Sequence, residues 1–170
     1  MSFKEVSIEE LSFNPFTRIG KEWMLITAGT QSDCNTMTAS WGGLGNFWNN
    51  KPVITTYIRP QRYTKEFVDA NETFTVSFLG EKYRDALTLL GRVSGRDNPN
   101  KIKDAGLTPI RFGDTAGFDE ADMIFVCRKL YMSEIRPENF IQKKLDAANY
   151  PEKDYHYVYI SEIEKVLVRE

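Results

Sequence analysis

Thr73–Leu79 reads TFTVSFL, an alternation that puts Phe74, Val76 and Phe78 on one face of an extended chain. Such a period fits a strand with one buried side and cannot line one face of a helix. The pattern recurs. WMLITAG (Trp23–Gly29) is a short apolar run, TMTASWG (36–42) alternates, and PVITTYIR (Pro52–Arg59) opens with a proline where a strand tolerates one. DMIFVCRKLYMSEI (Asp122–Ile135) and YHYVYISEIEKVLV (Tyr155–Val168) are long enough to curl around a barrel. Helical windows are shorter: TKEFVDAN (Thr64–Asn71) with Thr64 as N-cap, KYRDALTLLGRV (Lys82–Val93), and NPNKIKDAG (Asn98–Gly106) with Gly106 at its C-cap. Strands outnumber helices and do not alternate regularly with them. The expectation is an antiparallel barrel with helices packed outside, formed by one domain over residues 1–170.

Composition narrows the function. With 22 basic and 24 acidic residues the net charge is −2, which argues against nucleic acid as a partner. The longest apolar run, MIFVC (Met123–Cys127), is far too short to span a membrane, and the first ten residues carry no apolar signal segment. Cys34 and Cys127 suit a reducing, cytoplasmic setting, although a disulfide between them stays open. One histidine, His156, leaves too few ligands for a standard zinc site, so no metal is expected. It also lacks an evident nucleophile to serve, which disfavours a hydrolase.

Two segments carry the chemistry. In Cys34–Gly45, CNTMTASWGGLG, short hydroxyl and amide side chains stand on an extended segment just before a glycine cluster that lets backbone come close. In Arg59–Thr64, RPQRYT, a strand ends, Pro60 turns the chain and a helix begins. Guanidiniums beside free helix N–H groups, with a threonine hydroxyl, make an anion site.

Taken together, NTMTASW (Asn35–Trp41), RPQRYT, SGRDNPNKI (Ser94–Ile102) and the C-terminal YHYVYISEI (Tyr155–Ile163) resemble the flavin reductase-like family, close to its flavoredoxin branch. The resemblance spans about Trp23 to Val168, and the order and spacing of the motifs carry it. It implies a mainly β fold with peripheral helices, the FMN-binding split barrel, a Greek-key antiparallel barrel. It implies FMN as cofactor, NADH or NADPH as electron donor, a homodimer with flavin at its interface, and a redox partner protein downstream. Asn35, Thr36, Met37, Thr38, Ala39, Ser40 and Trp41 would line the flavin. Arg59, Arg62, Tyr63 and Thr64, with Arg96 and Lys101, would approach the phosphate. The chain departs from many relatives where GGLGNFWNNKP replaces a proline-rich loop and where Ser161 replaces a glycine.

His156 has two readings, a satisfied structural residue or a catalytic contact to nicotinamide or the flavin edge. Alternation groups it with Val158 and Ile160, opposite Tyr155, Tyr157 and Tyr159. Trp41, Phe47 and Trp48 either stack on flavin or fill the barrel, and Cys34 reads as structural or flavin-adjacent. The activity implied is an NAD(P)H-dependent flavin oxidoreductase. Its alternatives are an electron carrier without pyridine-nucleotide activity and a non-enzymatic FMN-binding module.

Overall fold

In the computed structural model, which describes residues 2–170, ten strands and five α-helical segments follow one another. The strands are β1 (Phe3–Val6), β2 (Met24–Gly29), β3 (Cys34–Ala39), β4 (Gly42–Phe47), β5 (Lys51–Ile58), β6 (Thr73–Phe78), β7 (Pro109–Phe112), β8 (Thr115–Phe118), β9 (Met123–Glu134) and β10 (Tyr157–Arg169). The helices are α1 (Pro15–Thr17), α2 (Tyr63–Ala70), α3 (Arg84–Arg92), α4 (Lys101–Asp104) and α5 (Lys143–Asn149). One sheet runs in the order β3-β2-β6-β9-β10-β5-β4, with β1 added along β10 and β7–β8 as a separate hairpin. Every pairing is antiparallel. The two ends of this order, β3 and β4, are consecutive in the chain, so the split in the barrel falls at their link, Ser40–Trp41.

Strand alternation builds the interior. Met24, Ile26 and Ala28 of β2, Met37 and Ala39 of β3, and Phe74, Val76 and Phe78 of β6 meet Phe125 and Cys127 of β9. Tyr159, Ile163 and Val166 of β10 complete this cluster, and the Phe78 and Phe125 rings pack edge-on at 5.6 Å. The opposite faces of β2 and β9 are not solvated. Leu25, Ile124 and Val126 pack with Leu87 and Leu90 of α3 and with Phe118 of β8. Burial on both faces explains why MIFVC is continuously apolar instead of alternating. On β6 the outward Thr75 hydroxyl is buried and donates to Ala116 O of β8 at 2.6 Å, whereas the buried Ser77 hydroxyl has no hydrogen-bond partner among the described residues. Register shifts in β10, at Ile160/Ser161 and Ile163/Lys165, bend this 13-residue strand around the barrel.

Some local expectations change in the fold. TMTASWG does not run on as strand: β3 stops at Ala39, where the chain must cross the split. GGLGNF, which reads as a glycine-rich loop, is strand β4, paired with β5 from Gly42↔Thr56 to Phe47↔Lys51. Thr64 is not the N-cap of α2. Arg62 holds that place, and Thr64 is buried as the second residue of the helix, where it accepts a bond from Asn35. Gly106 does close α4, at φ +71 just beyond Ala105. The β7–β8 hairpin and α5 carry no strong periodic signal and emerge only in the fold.

Candidate functional site

Three chain segments converge beside β3: the start of α2, the end of α3 and the start of α4. Arg62 donates to Gly91 O at 2.9 Å. Lys101, 3% exposed, donates from Nζ to Thr36 O at 2.6 Å and to Val93 O at 3.1 Å. Among the described residues neither cation has a carboxylate within ion-pairing distance. Burial lowers the Arg62 pKa, and burial together with the neighbouring Arg62 charge pulls Lys101 down to about 8. A buried ammonium and a half-buried guanidinium facing only carbonyls form an uncompensated site, and an anion is the group that would compensate it.

Around this pair, Asn35 Nδ2 donates to Thr64 Oγ1 at 2.7 Å. Gly95 comes so close that a Cβ there would collide with Asn35 Oδ1 and stand 3.0 Å from Tyr63 Cδ1. The Arg96 guanidinium lies 4.6 Å over the Tyr63 ring and pairs with Glu66. Arg59 goes elsewhere. The Pro60–Gln61 turn sends it to the β10 side, where it pairs with Asp154 at 2.6 Å, donates to Asn149 O at 2.9 Å and stacks 5.0 Å over Tyr150.

The polar groups of β3 are largely engaged within the chain. Thr36 Oγ1 lies 2.8 Å from Thr27 Oγ1 and donates to Ile26 O at 3.1 Å, and Thr38 Oγ1 donates to Leu87 O at 2.5 Å. Met37 and Ala39 face the barrel interior. Ser40 and Trp41, just past the strand, line a cavity of about 460 Å³ together with Tyr57, Ile135, Tyr150 and His156. The cation pair sits beside the middle of β3, where Lys101 meets Thr36 O and Gly91, the acceptor of Arg62, packs against Thr38. The aromatic cavity lies past the end of β3, at Ser40–Trp41.

His156 is 8% exposed, with Nδ1 2.8 Å from the Tyr150 hydroxyl and its ring 5.3 Å from that of Trp41. Burial, assisted by the Arg59 charge, lowers its pKa to about 4. The imidazole is thus neutral at ordinary pH. Trp41, Phe47 and Trp48 are 50%, 45% and 43% exposed, so none of them fills the barrel. Phe47 and Trp48 stack at 4.1 Å, and Trp48 meets the half-exposed Tyr131 at 6.1 Å, giving an apolar surface outside the sheet. Cys34 and Cys127 are free thiols, and burial raises Cys34 to about 11, which makes it a poor nucleophile. Tyr150 and Ile135 escaped sequence reasoning because they flank a connection whose path only the fold defines.

No family model matches the sequence. An uncharacterized protein of Aeropyrum pernix is 34% identical over 94 residues, a stretch covering 55% of this chain and 35% of that one. The chain therefore spans about a third of the length of this relative. Solved structures share the whole architecture. An FMN-binding domain of a flavin reductases-like enzyme from Shewanella baltica superposes with a TM-score of 0.68 at 16% identity, over 98% of this chain and 77% of its own. Flavoredoxin from Methanosarcina acetivorans gives 0.69 at 18%, covering 88% and 69%, and that from Desulfovibrio vulgaris (Miyazaki F) gives 0.65 at 23%, covering 87% and 69%. The fold is the split barrel of FMN-binding, flavin reductase-like proteins and flavoredoxins.

The depressed pKa of His156 has a consequence for acid stability. From about pH 6.5 down to about 4 an unfolded histidine takes up a proton that the folded one refuses, so this group withdraws stability as pH falls through that window. Urea unfolding of wild type and His156→Gln between pH 7 and 4 should show the wild type losing stability faster. Parallel profiles would mean that the imidazole is not held neutral.

Proposed function

We propose that this chain is an FMN-binding flavin oxidoreductase that takes electrons from NADH or NADPH and passes them to flavin or a downstream acceptor. The observation that carries this reading is the pairing of half-buried Arg62, at a strand-to-helix turn, with buried Lys101 of α4, both without a carboxylate partner among the described residues, in a fold shared with FMN-binding proteins. Arg62 and Lys101 would hold the terminal phosphate, with Arg96 and Tyr63 at its rim. Asn35 and Thr64, already bonded to each other and shielded by Gly95, keep the floor of that site fixed. The run from Asn35 to Trp41 would accompany the tail toward the aromatic cavity at the other end.

The bound flavin would supply the hydride-accepting and hydride-donating ring, while the protein positions donor and acceptor. Trp41 and Tyr150 border this open cavity with aromatic surface on which a flat ring could pack. With the Tyr150 hydroxyl donating to Nδ1, His156 keeps its proton on Nε2 and offers that N–H to an acceptor in the cavity. A neutral imidazole suits this role, because it orients a polar edge without adding a buried charge. The likeness to flavoredoxins favours a second reading, an electron carrier that pyridine nucleotides do not reduce. A module that only binds FMN would hold it tightly and turn nothing over.

A second copy of the chain would cover the apolar surface of Trp41, Trp48, Tyr131 and Met132, each more than 40% exposed. Light scattering of the flavin-loaded protein should then give about twice the 19.6 kDa chain mass. A monomer that retains FMN would overturn the dimer.

Arg62→Ala should weaken FMN binding by about 1.5–3 kcal/mol, the scale of a hydrogen bond to a charged group, and leave riboflavin binding nearly unchanged. Equal losses for both ligands would remove the phosphate role. For the activity, anaerobic stopped-flow mixing with NADH and NADPH should bleach the flavin absorbance. His156→Asn should retain FMN and slow that step through lost orientation. No reduction by either nucleotide would favour the electron carrier.

A further inference from the structure

We propose that the anion site at Arg62 and Lys101 is proton-linked: it holds a phosphate dianion only with Lys101 protonated, and it takes up that proton as the anion enters. The inference rests on the phosphate reading given above and adds how that site responds to pH. Its basis is the enclosure of the amine. Lys101, 3% exposed, has its Nζ held between Thr36 O of β3 and Val93 O beyond α3, and among the described residues no carboxylate lies within ion-pairing distance. A neutral amine still donates to both carbonyls, more weakly than an ammonium does, and losing the proton removes a buried charge and relieves the repulsion from Arg62, which donates to Gly91 O close by.

The surrounding charged groups do not oppose this. On α2, Glu66 is engaged by Arg96, and Tyr63 lies under the Arg96 guanidinium. On the turn before α4, Asp97 stands exposed. On α4 itself, Asp104 accepts from Asn98 Nδ2 at 2.8 Å, and Lys103 is exposed. At the end of α3, Arg92 adds only positive charge. On β3, the Cys34 thiol, at about 11, keeps its proton through mildly alkaline pH. The free site therefore gives up the Lys101 proton from about pH 8 upward.

A dianion reverses the balance. Two opposite unit charges about 4 Å apart attract by roughly 4 kcal/mol at an effective dielectric of 20, or about three pKa units. A phosphate monoester is already a dianion above about pH 7, so it contributes no proton of its own there. Affinity for FMN should consequently fall about tenfold per pH unit above 8, while affinity for riboflavin stays level.

Calorimetric titration of the whole protein with FMN and with riboflavin at pH 8.5, in two buffers of different ionisation heat, tests this directly. FMN should take up about three-quarters of a proton, the neutral fraction expected of an amine titrating at about 8, and riboflavin none. The Lys101 ¹³Cε resonance should titrate near pH 8 in the free protein and remain in its protonated position to pH 10 with FMN bound. Tighter binding of FMN than riboflavin without proton uptake overturns the linkage and leaves the phosphate reading standing. Equal affinity for the two ligands overturns the phosphate reading itself. Proton uptake with an unmoved Lys101 resonance assigns the proton elsewhere and also overturns the inference.

Discussion

The antiparallel ladder between β9 and β10 is the contact on which the other parts depend. It pairs the two strands from Met123↔Val168 to Glu134↔Tyr157, with two register shifts that supply curvature. β6 joins one side of the ladder, and β5 and β1 share the other. One face of β9 places Phe125 and Cys127 inside the barrel, while the other places Ile124 and Val126 under α3 and β8. Truncating a buried phenylalanine such as Phe125 costs about 3–5 kcal/mol, a large share of a marginal total, so both cores stand or fall with this strand.

The same ladder fixes α2, the helix whose N-cap is Arg62. Lys129 of β9 donates to Val68 O at 2.6 Å and Asp69 O at 3.2 Å, filling acceptors at the end of α2. Tyr159 of β10 donates to Asp69 Oδ1 at 2.6 Å, and Lys65 pairs with the same carboxylate at 2.6 Å. With its C-terminal half anchored, α2 presents Arg62 at its start to the end of α3. Arg62 and Lys101 in turn tie that end back to β3 through Gly91 O, Val93 O and Thr36 O. The two cations thus rest on carbonyls held by rigid elements, which would lower the reorganisation needed at the proposed anion site.

At two places near β3 an arginine lowers the pKa of a neighbouring basic group. Arg59 helps to keep His156 neutral, although Asp154, its own ion-pair partner, pushes the imidazole the other way. Arg62 stands beside Lys101 without any such carboxylate. Two arginines three residues apart therefore act in separate places, one compensated and one not. Their divergence follows from the turn at Pro60, where Arg62 N–H bonds back to Arg59 O at 3.1 Å.

By itself the sequence determined strands such as β6 and β9, because a period-two pattern in TFTVSF and the apolar run of MIFVC record which faces are buried. It also determined the turn at Pro60 and the end of α4 at Gly106. It singled out Arg62 and Lys101, which the fold brings together, as residues to which the proposed anion would bind. Only the tertiary structure decided that Arg59 is paired with Asp154, that Thr38 is bonded to α3, and that GGLGNF is a strand. Each of these depends on a partner remote in the chain: Asp154 for Arg59, Leu87 for Thr38, and β5 for the glycine-rich segment. Glycine carries almost no intrinsic strand preference, so β4 exists because the edge of β5 offers it hydrogen bonds. A local pattern records burial and turns, whereas pairing is settled by which surfaces meet when the barrel curls.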